Sequence, residues 1–116
     1  MSCLMLQQAV GRFLASRGWE VASEGRILSG RRDNGEIVLG FLEPGDARGF
    51  LERWEDSTAS LGAVLLAPFA ASDVGELEGA GIRCFSREEI EDAVLADWLR
   101  REARGKSRFV EFLDGA

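Results

Sequence analysis

Leu6, Val10, Phe13 and Leu14 recur at intervals of three and four, with Met5 and Ala9 widening the stripe. That spacing predicts an amphipathic helix from about Ser2 to Arg17, with Gly18 as its stop. "WEVAS" then alternates, placing Trp19 and Val21 on one side of a short strand. In "RILSGRRDNGEIVLGFL" the pair Asn34-Gly35 is a strong two-residue turn signal between two strands, because both residues tolerate positive φ. A turn there sets Asp33 against Glu36, Arg32 against Ile37, Arg31 against Val38 and Leu28 against Phe41. The unbroken apolar run "IVLGFL" predicts a strand buried on both faces, central in its sheet, which Pro44-Gly45 ends.

"DARGFLERWEDS" carries Phe50, Leu51 and Trp54 on one helical face, and "LGAVLLAPF" reads as a second central strand. "SDVGELEGAG" fits a short helix closed by Gly79 and Gly81, and "IRCF" a short strand. "SREE" is a capping box: Ser86 accepts from a first-turn amide while Glu89 reaches back. Ile90, Val94, Trp98 and either Ala93 or Leu95 give that helix its core stripe to about Arg104, before Gly105. The tail "RFVEFL" is expected to dock as an edge strand or packed arm. The order is α-β-β-β-α-β-α-β-α. The hairpin makes the first half antiparallel, and the helical crossovers make the second half parallel. The expected fold class is therefore α/β: a single three-layer domain over residues 1–116, with a mixed central sheet and helices on both faces.

Composition narrows the chemistry. The 116 residues include two cysteines and no histidine. Zinc has no recognisable ligand set, and the usual base of serine or cysteine hydrolases is missing. Cys84 reads as a buried core thiol. No apolar run approaches the length of a membrane span, and the N-terminus makes a better helix than a signal peptide, so the expected location is cytoplasmic. Net charge is −6, unevenly spread: residues 1–32 carry five Arg against two Glu, 33–99 carry fifteen acids against four Arg, and 100–116 carry five basic against three acidic residues. Contact with phosphates is therefore confined to local patches.

This order of elements resembles the restriction-endonuclease-like fold, the PD-(D/E)xK superfamily, and among its members the small archaeal Holliday-junction-resolvase-like and restriction-type proteins. "LQQAVGRFLASRGWEV", the hairpin "RILSGRRDNGEIVLGFL", "ARGFLERWED", "GAVLLAPF" and "LEGAGIRCFSREEIEDAV" carry the resemblance across most of the chain. It implies a divalent metal, usually magnesium, held by one acid before or within the second strand and another on the third. It also implies a lysine two residues beyond the second acid, and in many relatives a glutamate on the first helix.

The sequence departs from that pattern at each place. The helix offers neutral Gln7 and Gln8, the second strand begins with Glu24, Gly25 and Arg26, and the third strand reads Leu39-Gly40-Phe41-Leu42. Glu43 has Gly45 two residues on where the pattern has lysine. Losing both central carboxylates removes most metal affinity. The leading expectation is a non-catalytic, nuclease-fold binding or assembly module. The alternative is a divergent metal-dependent endonuclease using Glu24, Glu36 and Glu43. No cofactor is expected, magnesium or manganese entering only under that alternative. Glu36 and Glu43 stand about 23 Å apart at roughly 3.3 Å per residue, which weakens it. Asp73 and Glu76, at a helix start, read as ordinary dipole partners.

For nucleic acid the candidate contacts are Arg31 and Arg32 at the turn, with Arg26 nearby. "RREARGKSR" adds Arg100, Arg101, Arg104, Lys106 and Arg108, a density beyond what helix capping requires. Nucleic acid and a second copy of the chain are the candidate partners, the latter through "FVEFL" or one of Phe50, Trp54 and Trp98; no membrane and no zinc are expected.

Overall fold

The computed structural model describes residues 2–33, 35–98 and 108–115. Its order is α1 (Cys3–Ser16), β1 (Glu20–Glu24), β2 (Ile27–Arg32), β3 (Gly35–Leu42), α2 (Ala47–Trp54), β4 (Ser60–Leu65), α3 (Ala71–Gly79), β5 (Arg83–Ser86), α4 (Arg87–Trp98) and α5 (Arg108–Asp114). The five strands lie side by side in sequence order. β1, β2 and β3 form an antiparallel meander, then β4 and β5 add in parallel. Only β2 runs against the rest.

The period of two along β3 sorts the core into two layers. Ile37, Leu39 and Phe41 face a cluster shared with Leu6, Val10, Phe13 and Leu14 of α1, Ile90 and Val94 of α4, and Phe109, Phe112 and Leu113 of α5. Val38 and Leu42 face the opposite cluster, with Ala47 and Phe50 of α2, Leu77 of α3 and Cys84. Helices therefore cover both faces, making the three-layer α/β arrangement that the alternation of elements predicts.

Three local expectations are corrected. The hairpin pairs Arg32 with Gly35, Arg31 with Glu36 and Leu28 with Leu39, two residues off the register that a turn on Asn34-Gly35 gives. Asp33 supplies the positive φ, 51°, while Asn34 itself lies outside the described residues. This register sets Gly30 beneath Trp19 and Ile37, where a Cβ would come within 3.3 Å and 3.2 Å of them. A shift of two leaves every side chain on its expected face.

The tail is a helix rather than an edge strand. Phe109 meets Phe85 edge-on at 5.4 Å between centroids and Phe13 at 5.9 Å, and Phe112 lies 5.5 Å from Phe85. Met5, read as part of the core stripe, is 58% exposed.

The caps follow the local chemistry. The Met5 amide donates to Ser2 Oγ at 3.2 Å, and Gly18 takes φ 90° just beyond α1. Half of the expected capping box forms: the Glu89 amide donates to Ser86 Oγ at 3.1 Å. The Glu89 carboxylate instead accepts from Arg108 at 3.1 Å, because α5 brings that guanidinium over the start of α4. The side chains of Leu95 and Trp98, and the helix stop at Gly105, lie outside the described residues. Among those described, no helix is long and apolar enough to cross a membrane.

Candidate functional site

The positions to which the resemblance assigns catalysis meet at the end of the sheet where β1 turns into β2 and β3 leaves the core. Gly25, at φ 58°, makes the turn, and the Phe41 amide donates to the Arg26 carbonyl at 2.9 Å, which extends the β2–β3 ladder to this end. Glu24, Arg26, Glu43, Asp46 and Arg53 line an open depression of about 570 Å³ there.

Its charges are already matched to one another. Arg26 lies 3.4 Å from Glu43 and 3.8 Å from Asp46, and Arg53, on the last turn of α2, lies 3.7 Å from Glu24. Asp46 Oδ2 also accepts from the Glu43 amide at 3.0 Å, which fixes the turn into α2. These side chains are about half exposed or more, so each pair contributes at most about 1 kcal/mol. The arrangement is an ion-pair network in which guanidinium groups separate the carboxylates. Among the described residues no group of three or more His, Cys, Asp or Glu is placed to hold a metal ion. The donor set does not fit a hard divalent cation, which needs several oxygens directed at one point.

Two buried features decide what this end of the sheet can do. Gln7, 4% exposed, donates from Nε2 to Ser23 Oγ at 2.7 Å and to the Gly25 carbonyl at 2.9 Å. A carboxylate at that position has no proton for either acceptor and would face a carbonyl oxygen, so this site is built for an amide. At Gly40 a Cβ would sit 2.5 Å from Phe50 Cε2 and 2.8 Å from Cδ2. The Phe50 ring therefore takes the space that an acid or lysine at position 40 would need. Leu39 and Phe41 point into the other core layer and are fully buried.

Glu36 lies at the far end of β3, as its seven-residue separation from Glu43 requires. It sits across from Arg31, which in turn sits across from Glu20, giving an exposed row of alternating sign over three strands. Arg32 is engaged within the fold: its guanidinium lies 4.5 Å from the Trp19 ring centroid and donates to the carbonyls of Arg17 at 3.3 Å and Leu113 at 3.5 Å. Arg108 is engaged too, donating to Glu89 and, at 3.3 Å, to the Cys84 carbonyl, with its guanidinium 5.6 Å from the Phe85 ring. Arg31 is exposed. Arg100, Arg101, Arg104 and Lys106 lie outside the described residues.

Cys84 is a structural thiol. Burial, reinforced by Glu78 and opposed by Arg108, pushes it up to about 11 from an ordinary 9.0. It is therefore protonated at neutral pH and a poor nucleophile.

Sequence reasoning missed a concavity of about 700 Å³ between α2, the first residues of β4 and β5, and α5. Its walls come from separate segments, and no local pattern announces them. Asp73 begins α3 as a dipole partner, whereas Glu76 lines this cleft.

In comparisons with family models, curated proteins and solved structures, nothing matches the chain.

Proposed function

We propose that the chain is a restriction-endonuclease-like domain that has lost phosphodiester cleavage and serves as a binding or assembly module. One observation carries this reading: the Phe50 ring fills the space beside Gly40 on the third strand, the strand along which the resemblance implies an acid and, two residues beyond it, a lysine. The buried Gln7 amide, serving two acceptors on the helix where many members of the resembled family carry a glutamate, points the same way. The meander followed by two parallel crossovers is compatible with the family's order of elements. Nucleic acid is engaged through the exposed Arg31 and through Arg100, Arg101, Arg104 and Lys106, and homodimerisation is the expected mode of assembly. A reducing, cytoplasmic setting suits two unpaired cysteines.

The test uses end-labelled single-stranded, duplex and four-way-junction DNA, plus RNA, with the purified protein in manganese and in EDTA. Denaturing gels report cleavage and native gels report binding. The expected result is no cleavage, with binding that weakens steeply as salt rises and weakens again on Arg100→Ala with Arg101→Ala. Manganese-dependent cleavage lost on Glu24→Ala or Glu43→Ala overturns the reading and establishes a nuclease with relocated ligands. Analytical ultracentrifugation decides the dimer.

A further inference from the structure

We propose that the cleft of about 700 Å³ at the starts of β4 and β5 binds a basic peptide segment of a partner protein. It lies away from the Glu24–Glu43 network, which gathers where β3 leaves the core, and the inference does not depend on the nuclease-like reading. The volume falls within the range of roughly 300–1,000 Å³ usual for binding pockets.

The charge around this cleft is what selects the ligand. Four exposed carboxylates line it, Glu52 and Glu55 from α2, Glu76 from α3 and Glu111 from α5, together with the guanidinium groups of Arg48 and Arg83. None of the six has a salt-bridge partner among the described residues, whereas the acids at the other end of the sheet are held by arginines. The residues just past the ends of α2 and α3, Glu55, Ala80 and Gly81, also line the cleft, so the negative ends of two helix dipoles add to the field. The resulting potential favours cations.

Between the charges lies a partly buried apolar floor of Leu51, Trp54 and Leu61. A ligand with cationic side chains and an apolar body complements both surfaces. The two arginines decide against an all-positive chain such as a polyamine, which they would repel. They accommodate a peptide, whose backbone carbonyls accept from guanidinium groups while its own Lys or Arg side chains meet the carboxylates. A phosphate backbone would face four carboxylates and is disfavoured by the same field.

The probe is a fluorescein-labelled peptide in which arginine alternates with leucine and alanine, read by anisotropy at physiological ionic strength. Its controls are the same sequence with citrulline for arginine and with glutamate for arginine. Saturable binding of the arginine peptide alone is expected, with amide shifts in nitrogen-15 spectra centred on Ser60, Leu61 and Ile82. Glu52→Lys with Glu76→Lys should weaken it roughly tenfold or more, since two favourable rim pairs become two repulsions. Glu20→Lys with Glu88→Lys gives the same net charge and should change it less than about twofold, as distant surface charges are screened. All four substituted residues are exposed, and thermal melts of each variant establish that it is folded. Equal weakening in both double variants, equal binding of the citrulline peptide, or shifts centred elsewhere overturns the proposal. So does a single-stranded oligonucleotide that moves the same amides.

Discussion

Gly40→Ala puts the central packing argument to its sharpest test. The added methyl would lie 2.5 Å and 2.8 Å from two carbons of the Phe50 ring and 3.1 Å from Leu42 Cδ2. Favourable carbon contacts begin near 3.5 Å. The ring cannot swing clear cheaply, since Phe50 is 4% exposed on a helix of eight residues packed against the sheet. Overpacking of this kind costs about 1–3 kcal/mol, and relief of the glycine's backbone entropy returns roughly 0.5–1 kcal/mol. The 2.5 Å contact places the cost in the upper half of that range, so a net loss of about 1–2.5 kcal/mol follows, or roughly 4–10 °C in Tm at about 4 °C per kcal/mol.

Nine residues on, Gly49 supplies the opposite sign. It is exposed within α2 and a Cβ there meets nothing within 4 Å, so Gly49→Ala should stabilise by about 1 kcal/mol through helix propensity alone. Differential scanning calorimetry of both variants measures the pair. Phe50→Leu in the Gly40→Ala background should recover about 1 kcal/mol relative to the sum of the single changes, because the two residues compete for one volume. A Gly40→Ala protein as stable as the parent, or strict additivity with Phe50→Leu, would refute the claim that the ring occupies this site.

Gln7→Glu should cost roughly 2–3 kcal/mol at pH 7: the Ser23 hydroxyl can turn to donate, but the bond to the Gly25 carbonyl is lost and a charge is buried against that oxygen. The loss should shrink near pH 4, where the protonated carboxyl donates once; melts at both pH values, referred to the parent, check it. Arg32→Ala should lower stability by about 1–2 kcal/mol by removing the stack on Trp19 and the bonds to Arg17 and Leu113, with Arg32→Lys restoring less than half in chemical denaturation. Cys84 makes stability pH-dependent on the alkaline side: the folded protein holds its proton to about 11 against 9.0, so the contribution is complete below pH 9 and is lost as pH rises through 11. Cys84→Ala should flatten that decline, and a thiol reagent at pH 8 should modify the half-buried Cys3 well before Cys84.

The fold was largely legible because each strand and helix announces itself by local periodicity. "IVLGFL" could only be a doubly covered strand, and it occupies the middle of the sheet. The hairpin register was less legible, since Asp33 competes with Asn34-Gly35 for the turn, and the packing of Trp19 and Ile37 over Gly30 settles it. The helical nature of α5 was present in the spacing of Phe109, Phe112 and Leu113, three and four apart. So short a segment fits an edge strand or a packed arm equally well, and it packs as a helix. At the candidate site, the absence of an acid and lysine on the third strand was visible directly. The reason was not: it took the approach of Phe50 from another element to show that Gly40 has no room for one. The engagement of Arg32 and Arg108 within the fold was equally hidden, since three of their four acceptors are backbone carbonyls, some of them distant in sequence.

The sharing of one core layer between α1 and α5 has a consequence for how the chain is made. Among the described residues, the layer formed by α2, α3 and the near side of the sheet has all its buried members by Cys84. The opposite layer is incomplete until Phe109, Phe112 and Leu113 join residues as early as Leu6. At a synthesis rate of about 5–20 residues per second, the last of them is added roughly 1–6 s after Cys84. Throughout that interval the inner stripe of α1 and the ring of Phe85 lack their final cover. The two faces of one sheet thus depend on different lengths of chain: removing α5 strips cover from Phe85 and the inner stripe of α1, while the described buried residues between the sheet and α2–α3 all remain.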